Sequence, residues 1–146
     1  MIGPKSQNDA PSCLTKAARE ALYDRQGGLC PWCGFGLRSE LAGDMAAHHR
    51  RLRSHGGTWD LANLVGLHGG CHNVQPGSVH QEPKRAYRLG FMIRTRLLTP
   101  AQIPIYARDQ QVWLLADGDG YQRCGYSEAS ELIAIVGGLP GDGTIF

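Results

Sequence analysis

Between Cys30 and His72 two sets of polar residues are threaded through one another. One is Cys30-x-x-Cys33 with His68-x-x-Cys71; the other is His48-His49, then Asn63, then His72, arranged around a Gly56-Gly57 loop. An x-x spacing lets one tight turn aim two donors at a single ion. Two such turns complete a tetrahedral zinc shell and leave no open position, so Cys30, Cys33, His68 and Cys71 read as a structural Zn2+ clamp. A lone C-x-x-C would suggest redox chemistry; the second pair, about 35 residues on, makes zinc the better reading. Cys71 and His72 are neighbours, so both sets must share one backbone turn. A chain with this constraint can fold only in ways that bring four separate segments to one place.

A length of 146 residues suits one compact domain, and 42% hydrophobic residues suffice for a modest core. Twenty glycines and eight prolines imply short elements and many turns. No apolar run is long enough for a membrane span. Met1–Ala10 lacks the apolar stretch of a secretory signal. With five cysteines, an odd count, these features favour a reducing cytoplasm over a disulfide framework. Cys13 and Cys124, outside the clamp, read as ordinary small apolar residues.

The net charge of +2 is unevenly placed. Residues 1–98 hold 13 Lys+Arg against 7 Asp+Glu, and residues 99–146 hold 2 against 6. The half with the His/Cys sets is therefore the cationic one, as expected of a surface that meets phosphates. Arg50, Arg51 and Arg53 flank the histidine pair and are the candidate phosphate contacts.

The local pattern predicts a helix from Ser12 or Thr15 to about Gln26, stopped by Gly27-Gly28. A knuckle follows over 29–36, then a short strand from Met45 to His49 and a functional loop from Arg50 to Asp60. Leu61–Leu67 reads as a strand or turn, Gly69–Val74 as the start of a helix carrying His72, and Gln81–Leu89 as a helix ended by Gly90. Phe91–Leu97, Ile103–Ala107, Val112–Leu115 and Gly120–Cys124 are strand candidates. Asp117-Gly118-Asp119-Gly120 signals a hairpin. Glu128–Val136 reads as a last helix. The expected organisation is a disordered 1–11, a core of 12–98, a β-rich extension of 99–136 and a flexible 137–146.

The run His48-His49-Arg50, Gly56-Gly57-Thr58-Trp59, Asn63-Leu64-Val65 and Cys71-His72 resembles the HNH endonuclease family, in order and in spacing. Val79-His80, Pro83, Ala86-Tyr87-x-x-Gly90, Trp113-Leu114-Leu115 and Asp119-Gly120-Tyr121 look like its small phage and actinobacterial members. The resemblance spans roughly residues 20–123. It implies an α+β fold with a ββα-metal (His-Me) finger core, to which this chain adds a zinc knuckle pair and a small C-terminal β extension. By position, it makes His49 the general base toward water, His48 and His72 ligands of a catalytic divalent ion, and Asn63 a residue that orients His49 or holds the loop. It further implies DNA as substrate and products with 5′-phosphate ends.

Elementary chemistry agrees that the paired histidines must differ: neighbours on a strand face opposite sides, a ligand must be neutral, and a base must be free of the metal. His80 lies beyond Pro76-Gly77; either it reaches the ion by a looped path, or the ion keeps two histidines plus waters. Imidazoles suit Mg2+, Mn2+, Ni2+ or Zn2+. His55 reads as exposed, Asp60 as a loop or cap residue, and Trp59 as a packing anchor for the loop. Two other readings stand beside the nuclease: a non-catalytic zinc-stabilised nucleic-acid-binding module, and an accessory protein of a phage terminase, which co-purification with terminase would test. Cleavage specificity and oligomeric state are not legible.

Overall fold

The computed structural model describes residues 13–38 and 44–135. The predicted disordered and flexible ends fall outside them. The chain is a small α+β fold with two antiparallel sheets, one of two strands and one of three. No described helix is long and apolar enough to cross a membrane.

Helix α1 (Lys16–Arg25) starts where Thr15 takes an extended φ/ψ and its side chain accepts from Ala18 N at 3.0 Å. It stops at Gly27 and Gly28, whose φ values of 64° and 73° no β-carbon residue adopts cheaply. Leu22 is its buried anchor. Gln26, just past its end, is also buried: its amide donates to Gly66 O at 2.8 Å and accepts from Gly66 N at 2.8 Å. The side chain thereby pairs with the strand edge as a third strand would. Nothing in the local pattern marks this glutamine.

Strands β1 (Met45–His49) and β2 (Leu64–His68) pair antiparallel, with His48 opposite Val65 and His49 opposite Leu64. A 3-10 turn, Leu61–Asn63, leads into β2. The helix expected at Gly69–Val74 is instead one π-helical turn, Gly70–Val74, closed by Gln75 N donating to Gly70 O. Two leading glycines and the following Pro76 give an α-helix no length there. Helix α2 (Pro83–Arg88) comes later, and Gly90 ends it at φ 81° with its Cα packed against Pro104 O, where a β-carbon would lie 2.0 Å away.

Phe91–Leu97 is not a strand, contrary to its composition. It lies beside the core without a ladder, bent at Phe91 and from Arg96 on, and makes isolated bonds such as Ile93 N to Arg50 O. β3 (Ile105–Ala107), β4 (Val112–Asp117) and β5 (Gly120–Cys124) form a meander, its second hairpin tightened at Gly118-Asp119 as read from the sequence. α3 (Tyr126–Ile135) closes it, burying Ala129 and Ile133. One hydrophobic cluster unites both halves, from Leu22, Leu64 and Leu67 through Phe91 to Ile105, Trp113 and Ile133. Cys124 belongs to it, whereas Cys13 is exposed.

Arg50 was read as a phosphate contact and is not one. It is 3% exposed, and its guanidinium donates to the carbonyls of Ala62, Gly90, Pro100, Ile103 and Pro104. Burial lowers its pKa to about 10, so it stays charged at neutral pH. Each buried carbonyl left without a donor costs about 1–3 kcal/mol. Arg50→Ala orphans several at once, a loss comparable with the roughly 5–15 kcal/mol that holds a whole domain together. The variant is expected to lack a cooperative urea transition, and Arg50→Lys, with one compact ammonium, to melt at a markedly lower midpoint. An Arg50→Ala midpoint close to wild type would refute the assignment.

Candidate metal centres

The first centre grows from the knuckle after α1. Leu29 bridges Gly36, Cys30 N donates to Phe35 O, and Gly34 turns at φ 86°, which sets Cys30 and Cys33 side by side. His68 ends β2 and Cys71 sits on the π turn. The four ligand atoms lie within 4.8 Å of one another. Zinc–sulfur and zinc–nitrogen bonds of about 2.3 and 2.0 Å give tetrahedral S···N edges of roughly 3.6 Å. His68 Nδ1 lies 3.4 Å from Cys33 Sγ and 3.8 Å from Cys71 Sγ. His68 Nε2 donates to Gly36 O at 2.8 Å, which leaves Nδ1 as the lone pair facing the sulfurs. Burial and the neighbouring sulfurs push the Cys71 thiol up, and burial raises that of Cys30. Such a group of thiols is stable as thiolates only around a cation. This Cys3His set can therefore hold a structural metal such as zinc.

The second centre comprises His48, His72 and His80, whose ligand atoms also lie within 4.8 Å of one another. His80 reaches it by the looped path. Val79 N donates to Cys71 O and His80 N to His72 O, so the chain folds back past Pro76-Gly77 and lays His80 beside His72. The ring centroids of the three are 4.9 to 5.3 Å apart. His48 is 1% exposed. Its Nε2 donates to Phe91 O at 2.6 Å, while its Nδ1 is buried with no protein partner. An orphaned buried lone pair aimed at two further imidazoles is the donor set a divalent ion fits. Phe91 went unnoticed in the sequence, because its contribution is a backbone carbonyl.

Burial, with the nearby charges of His72 and His80, lowers the His48 pKa to about 3. Burial also lowers those of His72 and His80. All three are neutral at pH 7, as ligation requires. A histidine whose folded pKa is depressed costs no stability above its unfolded value of about 6.5. As pH falls from there toward 3 the unfolded chain takes up a proton that folded His48 refuses, at about 1.4 kcal/mol per pH unit. Stability is expected to decline steadily below pH 6.5. Melting temperatures at pH 7.5, 6, 5 and 4 would show it; a flat profile would contradict the buried neutral imidazole.

His49 sits on the other face of β1, half-buried, its ring edge-to-face with Trp59 at 4.2 Å. Burial and then Arg53 hold its pKa below the ordinary value, so it is a free base at neutral pH. Trp59 is the loop anchor expected. Asn63, 1% exposed, does not touch His49 through any hydrogen bond. Its Oδ1 accepts from Arg51 N at 2.8 Å and its Nδ2 donates to Arg51 O and Thr58 O. Of the two roles considered, it fills the loop-holding one. Gly57 makes that loop possible, since a β-carbon there would fall 1.6 Å from Arg51 O.

Arg51 is half-buried: its guanidinium donates through one nitrogen to Thr95 O and Leu98 O, so it also fastens the segment that follows Phe91. Arg53 and His55 are exposed. No family model, no curated protein and no solved structure matches this chain.

Proposed function

We propose that this chain is a metal-dependent DNA endonuclease of the HNH kind, with β1, β2 and the π turn standing for the ββα-metal finger. The observation that supports it most is the division of labour at β1. His48 joins His72 and His80 as one neutral three-imidazole group, while the adjacent His49 is free, unprotonated and on the opposite strand face.

His48, His72 and His80 would hold the divalent ion. When bound, that ion supplies Lewis acidity to the scissile phosphate and stabilises charge on the leaving 3′ oxygen. His49 removes a proton from water as the water oxygen bonds to phosphorus, the bond to the 3′ oxygen breaks, and the 5′-phosphate remains. Trp59 limits the swing of the His49 ring, and Asn63 fixes the loop that carries Trp59. A metal held by the Cys3His set would fix the turn from which His72 projects, because Cys71 and His72 share it.

The test is plasmid cleavage by zinc-loaded protein with Mg2+, Mn2+ or Ni2+ added. Nicking or linearisation that needs the added ion and is lost in His72→Ala is expected. DNA retarded on a gel but uncut under every ion would instead favour the zinc-stabilised binding module.

A further inference from the structure

With Arg50 buried and Arg51 half-buried, three exposed arginines remain on the loop that flanks His49 and on the segment tied to that loop. Arg53 is exposed, and its guanidinium lies 5.2 Å over the ring of Trp59, the same ring that His49 meets edge-on. Arg94 and Arg96 are exposed on the segment that follows Phe91. Arg94 stacks 4.4 Å over Tyr87, and its Nε donates to the Tyr87 hydroxyl at 3.2 Å. Arg96 donates to His55 O at 2.8 Å, which fastens its segment to the turn that carries Arg53. At its other end this segment touches the metal-facing group, because Phe91 O accepts from His48. The segment therefore runs from the imidazole cluster to the loop that flanks His49.

None of these three guanidinium groups pairs with a described carboxylate. Each is held instead by an aromatic ring or a backbone carbonyl, on an exposed side chain. A fork already ordered this way loses little freedom when it binds, and its planar donors match phosphate oxygens. Gathering like charges without acids is unfavourable in the free chain and favourable against a polyanion.

We propose that Arg53, Arg94 and Arg96 form a ledge that grips backbone phosphates of the nucleic-acid strand presented to His49. The inference rests on the nuclease reading and adds the residues that hold its substrate. These contacts carry no sequence information, so the ledge supplies affinity and position, not choice of site.

The test uses the zinc-loaded His49→Ala protein, a labelled DNA duplex of about 20 base pairs, and fluorescence anisotropy over a range of salt concentrations. Each phosphate contact contributes about 0.9 to the slope of log K against log salt. Arg53→Gln, Arg94→Gln and Arg96→Gln together are expected to lower that slope by roughly 2–3 and to weaken low-salt binding at least about tenfold. Lysine at the same three positions should keep the slope. Arg123→Gln, an exposed arginine on β5, should change neither quantity. A triple glutamine variant with the parent's affinity and slope, its zinc content unchanged, overturns the ledge and leaves the nuclease reading standing. A parent that retains no duplex overturns the ledge whatever the plasmid assay shows, and only a negative plasmid assay takes the nuclease reading with it.

Discussion

His49→Ala is expected to slow metal-dependent DNA cleavage by at least about 100-fold, the lower end of what a positioned general base contributes. The variant isolates chemistry from folding. His49 is half-buried and its buried Nε2 has no hydrogen-bond partner, so its removal breaks no hydrogen bond and loses only the ring contact with Trp59, worth about 1 kcal/mol. Zinc content and melting temperature should stay close to wild type. His48→Ala is a different experiment, because it strips the donor from Phe91 O and opens a void at a site 1% exposed. A rate for His49→Ala within a few-fold of wild type would remove the base from the mechanism, and with it the strongest ground for the nuclease reading.

Loss of the clamp metal is expected to unfold the chain. Structural zinc contributes about 10–16 kcal/mol of apparent folding free energy in finger peptides. A domain of this size has about 5–15 kcal/mol in total. Cys33→Ser, Cys71→Ser or exhaustive chelation should therefore abolish the cooperative melt, and added zinc should restore it in the chelated wild type alone. The damage should spread to the imidazole centre. Cys71 and His72 share one π turn, and His80 is placed by bonds from Val79 N and His80 N to the carbonyls of those two residues. Weak divalent-ion binding by Cys71→Ser, followed by calorimetry, would record that coupling. A chelated protein that melts cooperatively within a few degrees of wild type would show the clamp to be dispensable.

The clusters were legible because their spacing is local. Two x-x pairs each make their own turn, and a strand separates His48 from His49 whatever it packs against. The helix caps at Thr15 and Gly90 and the hairpin at Gly118 were legible for the same reason: a side chain or a positive φ declares itself within a few residues. Arg50 was not. A run of arginines reads as a solvated or phosphate-facing surface, and the actual partners of Arg50 are five carbonyls from three other segments, which have no residue signature. Phe91–Leu97 has strand composition but finds no edge to pair with, so tertiary context overrides its propensity. The place of His80 depended on a return path that the interruption at Pro76-Gly77 concealed.

The inward guanidinium of Arg50 also sets a timetable for synthesis. The last of the candidate metal ligands, His80, leaves the ribosome 24 residues before Pro104, the most distal carbonyl that Arg50 binds. At about 5–20 residues per second, the nascent chain spends roughly 1–5 s with its metal donors available and its central cation still unsatisfied. During that interval the four clamp donors are present while the carbonyls of Pro100, Ile103 and Pro104 that hold Arg50 are not. The boundary near residue 98, where charge and texture change, is therefore no place to divide the protein: a fragment ending there would carry every ligand and lack the carbonyls of Pro100, Ile103 and Pro104 that hold Arg50 in the core.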